Sequence, residues 1–330
     1  MLKKLITLIL LFTTIMFNSV NAEEIKKSEP KEVKFGVYIT DLFDINFAKN
    51  QFTVQFWSWF HHHDEEYHPN KSTEIMNAKS FTRQSANEEI VNGINWDTSK
   101  VKATINQQWE VEKFPFDTQT FSIVLEDVDS VSKDLVFKPD TKASKIDPKA
   151  IPDGWELKKF EIVNAANSYE TAFGDPSAAS NVKQEFSQVT VNVELQRHGW
   201  RLFSTTFIGF FVATSLLLIA FLVLSIPSAV GSVQQQPRIT LIIGALFSAI
   251  GSVYGLSAKL PYTTQFTLAD SLEITTFVGV ALAAVCSVFY DVLVKNEKQL
   301  LAISLNRMMF CLFLLSSFGL NGYMIVKALG

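Results

Sequence analysis

Cysteine is nearly absent from this chain: two in 330 residues, Cys286 and Cys311, both inside long apolar runs. Neither stands at metal-ligand spacing from a histidine, and both suit small buried hydrophobes. The first 199 residues contain none, so no disulfide staples that part and its own core must hold it together. Acid is scarce in the other part. Of 33 acidic residues, only Asp270, Glu273, Asp291 and Glu297 lie beyond Gly199. Residues 23–199 carry the other 29 against 20 basic residues, a net charge of −9. That balance argues against nucleic acid as a partner and draws cations to the surface. Enzyme motifs are missing as well. There is no Walker loop, dinucleotide fingerprint, nucleophile elbow or Cys–His arrangement, and the paired Asp127 and Asp129 sit in a turn-rich loop, so no catalytic chemistry is expected.

Charge of either sign is missing from four runs: 202–237, 239–258, 274–290 and 308–326. About 20 apolar residues at ~1.5 Å each cross a hydrocarbon core, so residues 200–330 predict four membrane-spanning helices. The shortest run extends back to Ser271 if Glu273 faces the interface. At the other end, MLKKLITLILLFTTIMFNSVNA has a basic start, an apolar stretch and the small-residue site Val20-Asn21-Ala22. Residues 1–22 therefore predict a signal peptide, an uncleaved anchor being the other reading. Export then places residues 23–199 on the extracellular or periplasmic side of the cell (inner) membrane, and four crossings return the C-terminus to that side. The loops 226–238 and 291–307 become cytoplasmic, and their Arg238, Lys295, Lys298 and Arg307 agree with positive-inside orientation.

Between signal and spans the texture is that of strands. VKFGVYI, QFTVQFWSWF, KVKATINQQW, TFSIVLE, DLVFKP, WELKKFEIV and FSQVTVNVELQ favour β-branched and aromatic residues, several with period-two alternation. Turn-rich stretches such as DVDSVSKD, PDTKASKIDPKAIPDG and FGDPSAASN separate them. The expected fold is an all-β sandwich, antiparallel and immunoglobulin-like with about ten strands, over residues 23–199, followed by an all-α four-helix domain.

Three segments sharpen this. The turn Phe114-Pro115-Phe116-Asp117-Thr118-Gln119 lies between two strands, Leu260-Pro261 follows the second span and leads through FTLADSL into the third, and Arg201 precedes the first span. In this order, behind the strand run VKFGVYITDLFDINFAKNQFTVQFWSWF, they resemble the pentameric ligand-gated ion channels, in the prokaryotic branch that lacks loop cysteines. The resemblance implies a homopentamer in membrane lipid, opened by a small-molecule agonist, a proton or a metal ion, and passing inorganic ions through a pore lined by the second span. Two features depart from it: the first span has no proline, and the stretch from Phe60 to Trp109 is short and lacks Trp-x-Pro-Asp.

In the second span, Thr240, Gly244, Phe247, Gly251, Tyr254 and Ala258 recur every three or four residues, the spacing of one helix face. Rings of Phe247 and Tyr254 would then form the gate, since apolar constrictions close by dewetting. Helix packing is the competing account, because Gly251 and Gly255 make a small-xxx-small pair. The inner mouth reads Gln234-Gln235-Gln236-Pro237-Arg238 with no acid, so the sign of the permeant ion stays open.

By resemblance, the Phe114, Pro115, Phe116 and Asp117 turn hangs beneath the sandwich, with Asp117 paired to Arg201 and the Asp44-Ile45-Asn46 turn meeting Leu260 and Pro261. Asp117 as a self-bonded turn residue is the alternative. An agonist would bind under the hairpin 170–184, against Tyr169, Phe173 and Asp175, with Trp57 or Trp59 as the opposite wall. Aromatic rings beside acids suit cationic amines, although alternation in FTVQFWSWF sends one aromatic set into the core. Finally, His61, His62, His63 and His68 crowd one stretch, which suits modulation by protons or by a metal such as zinc or calcium, or else a solvated loop tip. A non-conducting membrane sensor whose bundle binds a partner is the competing function; a secondary transporter is disfavoured by the lack of internal repeats.

Overall fold

The computed structural model describes residues 29–174, 176, 183–223 and 235–329. The predicted signal peptide, Asp175 and Gln234 lie outside them. Ten strands run in order: β1 Lys31–Asn46, β2 Gln51–His62, β3 Thr73–Ile75, β4 Ala78–Val91, β5 Ile94–Asn106, β6 Thr118–Asp127, β7 Leu135–Pro139, β8 Lys145–Ile146, β9 Trp155–Tyr169 and β10 Gln184–Arg197. One sheet has the order β4-β5-β2-β1-β7 with β8 also beside β1, and the other β3-β6-β10-β9.

Period-two alternation explains the sandwich. In β10, Val189, Val191, Val193 and Leu195 point inward, while the residues between them are only half-buried. In β2, Phe52, Val54, Phe56 and Phe60 also point inward. The rings interlock at Phe35–Phe60 (5.2 Å), Phe52–Phe121 (5.0 Å) and Trp109–Phe121 (5.4 Å). Each fully buried ring of this kind contributes roughly 1.5–3 kcal/mol, which is how the domain holds without a disulfide.

Two details depart from expectation. The pairing is not wholly antiparallel: β7 and β8 both lie parallel to β1. The chain leaves β6 in one sheet and reaches the free edge of β1 in the other, and a connection that changes sheets need not reverse direction. The second is β4, an edge strand pairing β5 alone, exposed along most of its length and therefore without an alternating pattern.

Four helices follow: α1 Trp200–Val223, α2 Gln235–Ser257, α3 Leu268–Lys295 and α4 Gln299–Leu329. All four are long and apolar enough to cross a membrane. The third starts earlier than the charge-free run suggests, because Thr267 and Asp270 form a capping box that satisfies its first backbone donors. Small residues set the close approaches. A Cβ at Gly209 of α1 would overlap Ser252 of α2, and Ser248 Oγ donates to the Gly209 carbonyl at 2.8 Å. A Cβ at Gly279 of α3 would overlap Phe313 of α4, and nearby Ser271 Oγ donates to Asn321 Oδ1 at 2.9 Å.

Candidate functional site

The predicted face of α2 is the face that the rest of the chain leaves uncovered. Arg238, Ile242, Ala245, Ala249 and Leu256 are buried against neighbouring helices. Thr240, Gly244, Phe247, Gly251 and Ala258 each follow one position of that buried row by two residues, about 200° round the helix at 3.6 residues per turn, and Tyr254 follows the half-buried Ser252 by the same two. Phe247 is 69% exposed and Tyr254 76%. Thr240, Gly251 and Ala258, the last just beyond the helix, are exposed too; Gly244 is half-buried near Leu216. The packing account of the glycine pair finds no support among the described residues. A Cβ on Gly251 or Gly255 would meet nothing within 4 Å, and the tight α1–α2 approach is made at Gly209.

Where sandwich meets helices, Phe114, Pro115, Phe116 and Asp117 are all buried, and the Phe114–Pro115 peptide is cis. Phe116 packs against Trp200 (4.9 Å) and Phe203 (5.7 Å) of α1, and Phe114 approaches Phe207 (6.5 Å). A Cβ on Gly199 would overlap the Pro115 carbonyl, so the loop presses directly on the backbone that enters α1. Lys327 near the end of α4 reaches back to Glu112, Nζ to Oε1 2.6 Å.

The expected Asp117–Arg201 pair is not the one that forms. Arg201 is exposed. Asp117 is held by Arg197, whose Nε and Nη2 donate to its two oxygens at 3.0 and 3.2 Å. Gln119 Nε2 donates to the same carboxylate at 2.6 Å. The guanidinium carbon lies 4.4 Å from the Phe47 ring centre, 5.2 Å from Phe114 and 4.3 Å from Trp155. Burial lowers the arginine's pKa while Asp117 pulls it back up. Arg197 was findable from sequence: it continues the inward parity of Val191, Val193 and Leu195, and an inward arginine needs a carboxylate.

The other expected contact is made differently. Asp44 is exposed with φ 51°, and Asn46 Oδ1 accepts from the Lys49 N–H within its own turn. Leu260 is half-buried and Pro261 buried, but Tyr262 is 99% exposed. The α2–α3 linker comes close to the sandwich through Gln265, which shares a cleft with Glu110, Glu112, Asp117 and Thr118. Phe47, beside the Asn46 turn, joins the junction by stacking on Trp109 at 4.5 Å and on Arg197.

Beneath the β9–β10 hairpin lies a cavity of about 520 Å³ walled by Tyr169, Phe173, Phe186, Met76, Val128 and Glu126. Tyr169 meets Phe173 and Phe186 edge-on at 5.3 and 5.7 Å. Two of the expected ligand residues are therefore together, and Asp175 is outside the described residues. Sequence reasoning missed Glu126, the cavity's carboxylate. It is 2% exposed and accepts from the Tyr169 hydroxyl (3.1 Å) and the Gln188 amide (3.1 Å). Trp57 and Trp59 belong to the other sheet, so this chain does not bring them to the cavity. Both face outward from β2, with Phe56, Ser58 and Phe60 inward. Trp59 lies flat over Gly36, where a Cβ would overlap its indole, and its Nε1 donates to Asp140 at 3.3 Å.

Burial raises the Glu126 carboxyl above its ordinary value, against the downward pull of its hydrogen bonds. The folded domain then binds that proton more tightly than the unfolded chain. Glu126's contribution to stability accordingly declines as pH climbs from the ordinary glutamate value through the raised one. Glu126→Gln is expected to flatten that slope. Melting curves collected across the carboxylate range that stay parallel in the two proteins would contradict this.

The four clustered histidines are dispersed. His62 is buried and bonded to Asp97, Nε2 to Oδ2 2.6 Å, while His68 Nδ1 lies 3.1 Å from Glu88 on the surface. His61 takes the outer face of β2, where burial and Lys34 lower its pKa, and His63 is exposed beyond the strand. Among the described residues no three His, Cys, Asp or Glu side chains are placed to hold a metal ion. His62 and His68 do line one cavity of about 310 Å³ with Glu65, Glu88, Glu89 and Asp97.

No protein-family model matches the chain, and no curated protein does either.

Proposed function

We propose that five copies of this chain form a ligand-gated ion channel in the cell (inner) membrane, α2 of each lining a central pore. The single observation that carries this is the uncovered face of α2. It is regular along the helix, bears two large aromatic side chains, and lacks any charged group between Pro237 and Ser257. A helix with a polar or aromatic face needs an environment for it, and a ring of copies around water supplies one. The sandwich lies outside and senses the stimulus, with the Tyr169–Phe173–Phe186 cavity as the agonist pocket and a neighbouring copy as its other wall. Lys327 returning to Glu112 supports this topology, because it puts the end of α4 on the sandwich side after four crossings. Displacement of the sandwich reaches α1 and the α2–α3 linker through the Phe114–Asp117 loop and its Arg197 partner.

Two measurements on the purified full chain test the reading. Particle imaging in lipid is expected to give rings with five-fold symmetry. Reconstituted bilayers are expected to give single-channel steps under some small ligand, proton or metal ion. A monomer or dimer without an aqueous path would defeat the proposal. Five-fold rings that stay silent across a broad screen would favour the non-conducting sensor.

A further inference from the structure

Arg238 is the only charged residue of α2, and the sequence sets it at the inner mouth of the expected pore. The structure turns it the other way. It is 1% exposed and counts among the largest fully buried side chains of the chain. Its Nη2 donates to the Ala283 carbonyl of α3 at 3.3 Å and to Asn306 Oδ1 of α4 at 3.4 Å. Its guanidinium carbon sits 5.8 Å from the centre of the Phe221 ring of α1. Asn306 Nδ2 donates in turn to the Phe221 carbonyl at 2.8 Å. One guanidinium and one carboxamide thus join the foot of α2 to all three other helices. Thr240, two residues on, lies on the opposite side of the helix by the same 3.6-residue geometry.

A guanidinium suits this place better than an ammonium. It reaches two acceptors on different helices from one nitrogen and still lays its plane toward an aromatic ring. The site is not fully satisfied. Among the described residues, Nε and Nη1 are buried without hydrogen-bond partners, and so is Oδ1 of Asp291, the acid at the inner end of α3. Partnering incomplete on both sides makes stability a poor reason for having an arginine here, since an apolar side chain of similar volume often packs as well. A directional link between helices is the better one.

We propose that Arg238 is a positioning residue, a buried clasp holding the inner end of α2 to its own bundle, and not a ring of charge that selects ions. This rests on the channel reading, under which the pore face carries no formal charge along α2 and the sign of the permeant ion is set elsewhere. The test uses the full chain with Arg238→Gln, Arg238→Lys and Asn306→Ala, the last keeping the arginine's charge while removing one acceptor. In bilayers under a salt gradient, all three are expected to keep a cation-to-anion permeability ratio within about twofold of the unsubstituted chain, because no pore-facing charge has changed. All three are also expected to lower the melting temperature in detergent and to change the fraction of time spent open. A permeability ratio that shifts several-fold in Arg238→Gln and returns in Arg238→Lys would overturn the proposal. So would full thermal stability in Arg238→Lys, which would mean that any cation serves. If the unsubstituted chain passes no current, the channel reading fails while the melting series still decides the clasp.

Discussion

Asp117→Ala is expected to destabilise the protein by about 3–5 kcal/mol, the usual cost of breaking a buried pair from one side. Arg197 would stay behind with its charge, wedged among Phe47, Phe114 and Trp155 and without the carboxylate that takes two of its donors. Gln119 would lose an acceptor as well. For a domain of this size each kcal/mol moves Tm by about 2–4 °C, so the melt should fall by on the order of 10 °C. Solvent does little to soften the loss, because both side chains are nearly inaccessible. The double variant Asp117→Leu, Arg197→Met is expected to recover much of the stability, since apolar replacements of a buried pair are often near neutral. Under the channel proposal, recovered stability without recovered gating would separate the pair's structural part from the coupling proposed for it. A single variant that melts with the unsubstituted protein would mean that the Arg197 pair does not hold the junction together.

Phe247→Ala should have the second large effect, of a different kind. The ring is mostly exposed in the single chain, so its removal is expected to change the stability of the fold by no more than about 0.5 kcal/mol, as at other surface positions. Phe207→Ala or Phe210→Ala, both fully buried on α1, should instead cost about 3–5 kcal/mol. In a pore of five copies, however, Phe247 would be the narrowest apolar ring, and its loss would let water and ions through without stimulus. A rise in unstimulated current on the order of tenfold is expected, with no shift in melting. Unchanged leak would remove Phe247 from the gate, and a large fall in stability would show that the ring packs inside the assembly.

How far the sequence carried is clearest at individual residues. The strands with strong alternation were legible because one buried face imposes a period of two. Edge strand β4 was not, because AKSFTRQSANEEIV is exposed along most of its length and leaves no period to read. The expectation that one aromatic set of FTVQFWSWF is core was sound, but only Gly36 on the neighbouring strand explains why Trp59 lies flat outside. The histidine run looked like one cluster, yet adjacent strand residues point to opposite faces, so His61 and His62 part company at once. Position at the first span points to Arg201 as the partner of Asp117, whereas strand parity turns Arg197 inward.

The β-sandwich and the four apolar helices were legible in the residues alone. Both follow from periodicity, which each segment carries locally wherever its neighbours stand. Tertiary structure alone decided that Asp117 binds Arg197, that Glu126 joins Tyr169, and that Arg238 turns into its own bundle. Those choices depend on which elements become neighbours. A buried charge must find its partner across that packing, where spacing along the chain gives no guide.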